Sequence, residues 1–182
     1  TITGAKNTAI GYEALSGDTD GGSNVAIGYQ AGKQLTGSTR NTIVGQGALS
    51  APNGTADNLA DCVVVGYEAF KGHADNTTTG ANGTTAIGSF SLTALTSGVD
   101  NVGVGYKSLY ACNTGQQNTA LGTHALYGTD DGVSNTAVGA YAMHVGNAGD
   151  SNTAIGAQAM IDVTGSHNVA VGFQALFDIT SG

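Results

Sequence analysis

Two pairs of closely spaced aspartates are the first residues of this 182-residue sequence that could support chemistry. Asp18 and Asp20 flank a threonine ahead of two glycines, and Asp130 and Asp131 are adjacent. Carboxylates two residues apart in a loop can converge on a calcium ion, and carboxylates on neighbouring segments can serve a glycosidase. However, no bidentate glutamate follows Asp20, and the sequence lacks the Gly-Gly-x-Gly-x-Asp repeat of calcium-binding β-rolls. We therefore interpret these aspartates as solvated turn residues and predict no metal site and no cofactor.

Histidines and serines are the other candidates for metal binding or nucleophilic catalysis. Ser91 and Ser108 lack a local nucleophile signature, and both stand where most copies of the repeat described below have alanine. The histidines occupy four different positions of that repeat, so we interpret them as surface residues rather than a metal ladder; they are His73, His124, His144 and His167. We predict no enzymatic activity. The alternative is a polysaccharide-degrading enzyme with carboxylates spread over neighbouring coils.

A nine-residue pattern, first seen from Asn7 to Leu15, recurs along the whole chain and must position all of these side chains. Its central residue, which we call the glycine column, is Gly11, Gly28, Gly45, Gly66, Gly88, Gly105, Gly122, Gly139, Gly156 and Gly172. Six of the nine steps between these glycines are 17 residues, the last is 16, and two around Gly66 are 21 and 22. So short a period predicts an all-β fold, a parallel β-roll or β-solenoid of about ten coils.

The glycine column and the position four residues before it make the clearest physical demands. Ten glycines in register indicate a positive φ or a close approach of stacked backbones. Four residues earlier, eight copies have asparagine; this asparagine column is Asn7, Asn24, Asn41, Asn101, Asn118, Asn135, Asn152 and Asn168, with Cys62 and Thr84 as exceptions. Asparagine tolerates the left-handed conformation at turns, and stacked asparagines can form a hydrogen-bonded ladder.

The strand before the glycine is apolar on both faces. The residue just before the glycine is always aliphatic, and the one before that is small or aliphatic, while successive strand residues face opposite ways. We expect the residue just before the glycine to form a buried ladder. Because a thin coil can bury only one face, the second predicts oligomerisation.

Two further columns follow the glycine. Three and four residues after it come alanine or serine and then mostly leucine or methionine, which predicts a second short strand. Adjacent residues of a regular strand cannot both face inward, so this pair requires either a bulge or an intersubunit contact. Two residues after the glycine the column is mixed and mostly polar, and we expect it to face water.

The repeat predicts one β-solenoid domain over 1–182, with regular coils at 1–50 and 83–182 and looser coils with longer loops at 51–82. Insertions in solenoids often carry the binding function. The candidate binding residues are therefore Asn53, Asn76 and Asn82 in the loops, each in an Asn-x-Thr pattern, and Tyr141, Gln158 and Gln174 in the exposed column. Both ends stop within a repeat, which predicts a segment of a longer fibre.

Charge and composition exclude several classes of partner. The net charge is −8 with only five basic residues, which argues against binding nucleic acid or an anionic membrane. No apolar run approaches the ~20 residues of a membrane helix, so we predict no membrane insertion. Cys62 and Cys112 fall on different corners two to three coils apart, so we expect no bridge between them, and Cys112 reads as a small core residue.

Several stretches resemble known repeats. Asn24 to Gly28 and Asn168 to Gly172 resemble the head repeats of trimeric autotransporter adhesins, although those coils are shorter. The fuller pattern from Asn118 to Leu126 is similar to repeats of phage tail-fibre proteins, and this resemblance covers the whole chain. It implies a left-handed homotrimer that can continue end to end. It also implies an extracellular place, on a virion tail fibre or a bacterial surface, and adhesion to a cell-surface receptor or glycan.

The position three residues before the glycine suggests a third possible function, because it holds threonine or valine in every copy. An array of such side chains at ~4.8 Å spacing could order water and bind ice. We favour the interpretation that these β-branched residues are simply buried.

Overall fold

The computed structural model describes residues 4–17, 20–51, 56–72, 78–144, 146 and 148–179. Within these ranges the chain forms short strands and turns and no helix. The strands are β1 (Thr8–Ile10), β2 (Val25–Ile27), β3 (Leu35–Thr36), β4 (Thr42–Val44), β5 (Ala56–Asp57), β6 (Val63–Val65), β7 (Thr78–Thr79), β8 (Thr85–Ile87), β9 (Val102–Val104), β10 (Thr119–Leu121), β11 (Thr136–Val138), β12 (Thr153–Ile155), β13 (Asp162–Val163), β14 (Val169–Val171) and β15 (Asp178–Ile179). Each three-residue strand ends immediately before a member of the glycine column.

Ten strands form one parallel sheet in the order β1-β2-β4-β6-β8-β9-β10-β11-β12-β14. Its nine pairings are in register, from Thr8 opposite Val25 to Thr153 opposite Val169. Paired residues are 17 positions apart in most pairings, 21 and 22 on either side of Val63, and 16 in the last. A chain that returns to the same register at this interval is a β-solenoid, here of about nine turns. The predicted fold class is confirmed.

Two smaller parallel sheets, β3-β5-β7 and β13-β15, form later in the coils. The first spans the two long steps. Seven residues separate Gly28 from Leu35 in β3, but 11 separate Gly45 from Ala56 in β5 and 12 separate Gly66 from Thr78 in β7. The additional residues of both long steps therefore fall, in sequence, between the glycine and this second sheet, in segments that include residues outside the described ranges.

In the nine three-residue strands after β1, the middle residue is buried in the interior. Ala26 and Ala120 are fully buried, whereas the residues that follow them point outward: Ile27 is 38% exposed and Leu121 is 47% exposed. The predicted buried ladder just before the glycine is therefore wrong. Alternation along a three-residue strand sends only the middle side chain inward. In eight of the ten strands that residue is alanine or glycine, which leaves room for the larger side chains of the turn that follows.

The alanine–leucine pair after the glycine lies in a turn, not in the second strand that we predicted. Ala125 and Leu126 are both fully buried. His124 and Leu126 have positive φ values of 55° and 50°, and the same two positions have positive φ in all ten coils. Residues with positive φ alternate here with residues that lack it, so the turn does not keep the in-and-out alternation of a strand. Neither a bulge nor an intersubunit contact is needed to bury the pair.

The glycine column forms the corner between strand and turn. Its φ values lie between 129° and 138°. A Cβ added to Gly122 would lie 2.6 Å from the carbonyl oxygen of Gly139 in the next coil. Both reasons suggested by the sequence therefore apply, since the backbone takes a conformation that other residues avoid and also stacks too closely for a side chain.

The asparagine column forms the predicted hydrogen-bonded ladder. Asn118 is fully buried. Its Nδ2 donates to the carbonyl oxygen of Gly132 at 2.7 Å, and its Oδ1 accepts from the backbone N–H of Asn135 at 2.9 Å. The left-handed conformation expected at asparagine belongs instead to the residue before it, such as Gln117 with φ 56°. Each amide from Asn7 to Asn152 thus supplies a donor and an acceptor to the next coil, whereas that of Asn168 bonds back to Asn152.

Candidate functional site: an apolar face and an aromatic cluster

The outward side of the ten-stranded sheet is an exposed apolar surface. We define the apolar face as the first and third residues of those ten strands. The third residue is isoleucine, valine or leucine throughout, the first is threonine or valine, and neither position carries a charge. Leu121, Ile155 and Val171 are 47%, 42% and 67% exposed. The strand is apolar on both faces, as predicted, and one of those faces is turned outward.

The threonine and valine column belongs to this apolar face. Thr8 and Thr42 are exposed, and Val169 is 66% exposed. The interpretation of simple burial within the coil is therefore wrong. Residues one and three positions before the glycine share a side of the strand, so both columns point away from the interior.

Ring side chains gather on the turns of four consecutive coils. We define the aromatic cluster as Phe90, Tyr106, Tyr110, His124, Tyr127, Tyr141 and His144. The centroids of its neighbouring rings are 5.0 to 6.2 Å apart. Most members occupy the second or fifth position after a glycine, so these two columns lie side by side on the surface.

Two pairs of rings in the aromatic cluster stack along the solenoid axis. The Tyr110 and Tyr127 centroids are 5.1 Å apart with an interplanar angle of 4°, and those of His124 and Tyr141 are 5.0 Å apart at 13°. These distances follow from the ~4.8 Å between neighbouring strands. Tyr141 remains 38% exposed, so the cluster is in contact with solvent.

Lys107 lies beside these rings. Its Nζ is 5.4 Å from the ring centroid of Tyr106 and 5.2 Å from that of Tyr110, which are cation–π distances. Among the described residues no carboxylate forms an ion pair with it. The Nζ of Lys33, by contrast, lies 2.7 Å from Glu13.

His124 and His144 lie together, contrary to our expectation of separate surface residues. Their ring centroids are 5.5 Å apart, and His144 Nδ1 is 3.4 Å from the carbonyl oxygen of His124. Different positions of the repeat do not keep residues apart when their columns are neighbours. His124 Nδ1 is buried and has no hydrogen-bond partner among the described residues. Burial, followed by the nearby His144 and Lys107, lowers the pKa of His124.

The predicted binding residues fall into separate places. Tyr141 belongs to the aromatic cluster, and Gln158 and Gln174 continue its column, with Gln174 Nε2 donating to Gln158 Oε1 at 2.9 Å. Asn82 is exposed, and its Oδ1 accepts from the backbone N–H of Ala60 at 2.8 Å, which ties two coils together. Asn53 and Asn76 lie outside the described residues, as do His73 and Asp18.

The two serines considered as nucleophiles are part of the interior. Ser91 and Ser108 are fully buried with their hydroxyl oxygens 2.9 Å apart, and Ser91 Oγ donates to the carbonyl oxygen of Gly103 at 3.0 Å. A Cβ added to Gly103 would lie 2.8 Å from Ser91 Oγ. The glycine therefore makes room for the hydroxyls in a column that otherwise holds alanine or larger residues.

The cysteines and aspartates occupy opposite environments. Cys62 and Cys112 are free and buried, and Cys112 is a core residue as predicted. Burial raises the pKa of the Cys62 thiol to about 11 and that of Cys112 to about 12, so both stay protonated at neutral pH. Asp130 and Asp131 are exposed, and the backbone carbonyl of Asp130 accepts hydrogen bonds from the preceding coil.

Among the described residues, no three histidine, cysteine, aspartate or glutamate side chains are grouped so as to hold a metal ion. That part of the chain also contains no helix long and apolar enough to cross a membrane. Comparison with protein-family models, with curated proteins and with solved structures finds no match to this chain. The fold and surface therefore define its class: a parallel β-solenoid with an exposed apolar face and an aromatic cluster.

Proposed function

We propose that this chain is a structural and adhesive β-solenoid without catalytic activity. It forms a segment of an extracellular fibre or surface appendage, as on a virion tail fibre or a bacterial surface. There it contacts host cells or surface glycans. The observation that carries the proposal is the apolar face, which requires a partner in water.

The size of the apolar face supports an extensive contact. Ten strands at ~4.8 Å spacing give a length of roughly 45 Å, and its two columns of side chains are about 7 Å apart. Ile10, Leu121 and Val171, spread from one end to the other, are each more than 45% exposed. Continuous apolar surfaces of this kind mark interaction sites on soluble proteins.

A second and a third copy of the chain are the partners that fit this face best. A partner with the same coil spacing meets every row of the face in register, and the face has no charge to desolvate. Cyclic symmetry lets each copy use the same surfaces. The likeness of Asn24 to Gly28 to repeats of trimeric adhesin heads supports three copies.

Light scattering on the purified chain tests this proposal. We expect a mass near three times 17.9 kDa. Leu121→Glu places a charge in the apolar face, where a single coil tolerates it, and should release monomers with an unchanged β-sheet circular dichroism spectrum. Gln116→Glu makes a similar change in charge at an exposed turn and should leave the mass unaltered. A wild-type chain that stays monomeric at high concentration contradicts the proposal.

Ice binding is a second candidate function, because the outward threonines of the apolar face form a regular array. Thr8 and Thr42 are exposed, and every copy has a β-branched residue at this position. The two functions compete for one surface, since a face buried between copies cannot meet ice. A monomer that shows thermal hysteresis would favour ice binding, and a trimer without hysteresis would favour the fibre.

A further inference from the structure

We propose that the aromatic cluster and the column continuing from it bind a linear oligosaccharide that carries carboxylate groups, with Lys107 contacting a carboxylate. This inference rests on the adhesive function proposed above and specifies its ligand. The carboxylate could belong to a uronic acid or to a sialic acid, and the chemistry required of the site is the same.

The first argument is the arrangement of rings on the surface. Tyr106 and Tyr141 are 44% and 38% exposed, although each contacts the ring of His124 at a centroid distance of 5.4 or 5.0 Å. Rings held by such contacts lose little conformational freedom when a ligand binds, and they offer an apolar surface with a polar edge. The C–H groups of a sugar ring pack on such a surface, while its hydroxyls meet the polar edge.

The second argument is the charge of Lys107. It is the only lysine or arginine after residue 83, and residues 101 to 128 contain no aspartate or glutamate. Three other basic residues form ion pairs: Lys33 with Glu13, Arg40 with Asp61, and Lys71 with Glu68. Lys107 is held over rings instead, so its ammonium group is available to an anion.

The third argument is the direction of the column two residues after the glycine. Its last six members, one per coil, are Phe90, Lys107, His124, Tyr141, Gln158 and Gln174. All six have φ between 54° and 59°, so the same local backbone presents each side chain. Aromatic, cationic and amide groups thus follow one another at ~4.8 Å intervals along the axis. A linear chain of sugars lying along the solenoid can contact each of them.

The net charge of −8 opposes the approach of an anion, but only at long range. Interactions beyond about 8 Å are largely screened at physiological ionic strength, whereas a direct contact with Lys107 is not. The long-range repulsion and the direct contact with Lys107 together predict that one protein chain binds the saccharide weakly. In a trimer, several sites along one fibre would act together on a polymeric ligand.

Isothermal titration of the full chain with matched saccharides tests the inference. The acidic probes are oligogalacturonate, a sialic acid oligomer and a hyaluronan oligosaccharide, and the neutral probes are their methyl esters. We expect at least one acid to bind about tenfold more tightly than its ester, which is the scale of one charge-assisted hydrogen bond.

Variants locate the binding site. Lys107→Gln should abolish the preference for the acid over the ester. Tyr141→Asn should weaken the binding of acid and ester alike, and asparagine is chosen because it tolerates the left-handed backbone at this position. Tyr29→Ala alters a stacked tyrosine pair elsewhere, Tyr12 and Tyr29 with centroids 5.5 Å apart, and should change neither affinity. Light scattering on each variant establishes that assembly is unaltered.

Three results would overturn the inference: no acid binds, acid and ester bind equally, or Lys107→Gln keeps the preference. These failures are distinguishable from failure of the proposed function. Equal binding of acid and ester by a trimer leaves adhesion to glycans intact and removes only the anionic ligand. A trimer that binds none of the probes keeps the structural role, and a monomer contradicts the fibre itself.

Discussion

The coils that carry Asn101 to Asn168 and the coils that carry Cys62 and Thr84 belong to one sheet but treat their buried polar groups differently. In the first region each asparagine from Asn101 to Asn152 bonds to the next coil, as Asn118 does to Gly132 and Asn135, and Asn168 in the last coil bonds back to Asn152. In the second region, Cys62 Sγ reaches the carbonyl oxygens of Ala60 and Ala81 only at 3.5 Å.

Thr84 is the second position at which the asparagine ladder is interrupted. Its hydroxyl is buried and has no hydrogen-bond partner among the described residues. The close approach at the glycine column is the same in both regions. A Cβ on Gly66 would lie 2.7 Å from Gly88, and one on Gly122 would lie 2.6 Å from Gly139. The corner of the coil is therefore indispensable in both regions, whereas the asparagine ladder can be broken where the coils are longer and β5 pairs with β3 and β7.

The largest expected effect concerns the glycine corner. Gly66→Ala and Gly122→Ala should each lower the free energy of unfolding by at least about 3 kcal/mol, because the new Cβ meets backbone atoms that cannot move. Urea denaturation measures both. Gly47→Ala is the control, since Gly47 has φ 64° with its nearest atom at 3.4 Å, and it should cost about 1 kcal/mol. A mild effect at Gly66 alone would mean that the long coils relax at their corner.

The next effect separates the two regions directly. Asn118→Ala leaves the N–H of Asn135 and the carbonyl of Gly132 buried without their partners, which should cost about 3 kcal/mol. Cys62→Ala removes only weak sulfur contacts and a small apolar volume, and should cost about 1 kcal/mol. Thermal unfolding of both variants in the same buffer gives the comparison. Equal costs would show that the asparagine ladder stabilises the regular coils no more than the sulfur contacts of Cys62 stabilise the longer ones.

A smaller effect of opposite sign is expected at the break. Thr84→Val replaces a buried hydroxyl without a partner by a methyl group of similar size, and should stabilise the chain by about 1 kcal/mol. Thr119→Val, on the half-buried outward side of β10, is the matched control and should change stability little. Destabilisation by Thr84→Val would indicate that the hydroxyl has a partner in solution, such as a water molecule.

The smallest effect is a dependence on pH confined to the regular region. Because the folded state lowers the pKa of His124 from 6.5, it favours the neutral imidazole. Its contribution to stability is therefore complete above pH 6.5 and is lost as the pH falls through the lower folded value. His124→Gln should flatten unfolding curves measured between pH 7 and pH 5, whereas His167→Gln, at an exposed site, should not. If the free energy of unfolding of His124→Gln depends on pH as steeply as that of the wild type, the pH dependence belongs to other groups.

The parts of the fold that follow from local rules could be predicted from the sequence. The repeat, the glycine corner and the ladder through Asn118 all follow from one residue type recurring at one spacing. The outward position of Leu121 could not be predicted, because the strand is apolar on both faces and its sequence pattern does not indicate which face lines the interior. The turn at His124 and Leu126 also escaped prediction, since bulky residues with positive φ carry no sequence signal.

The aromatic cluster was missed for the same reason. Its two columns become neighbours only through the geometry of that turn. A signal was nevertheless present, because the same columns hold opposite charges in earlier coils, with Glu68 three residues before Lys71 and a distance of 3.0 Å between their charged groups. Reading His124 with Tyr127, and Tyr141 with His144, at that same spacing would have pointed to the cluster.

The direction of the bonds between coils has a mechanical consequence. From the coil of Asn118 to the next, the N–H of Thr119 bonds to Asn135, the side chain of Asn118 to Gly132, and the N–H of Leu126 to Ala142, at 2.7 to 2.9 Å. These bonds run along the rod, so tension applied at its two ends is shared by every bond between two coils at once. A sideways pull on one terminal coil would instead open them one after another. The molecule should resist stretching far better than peeling.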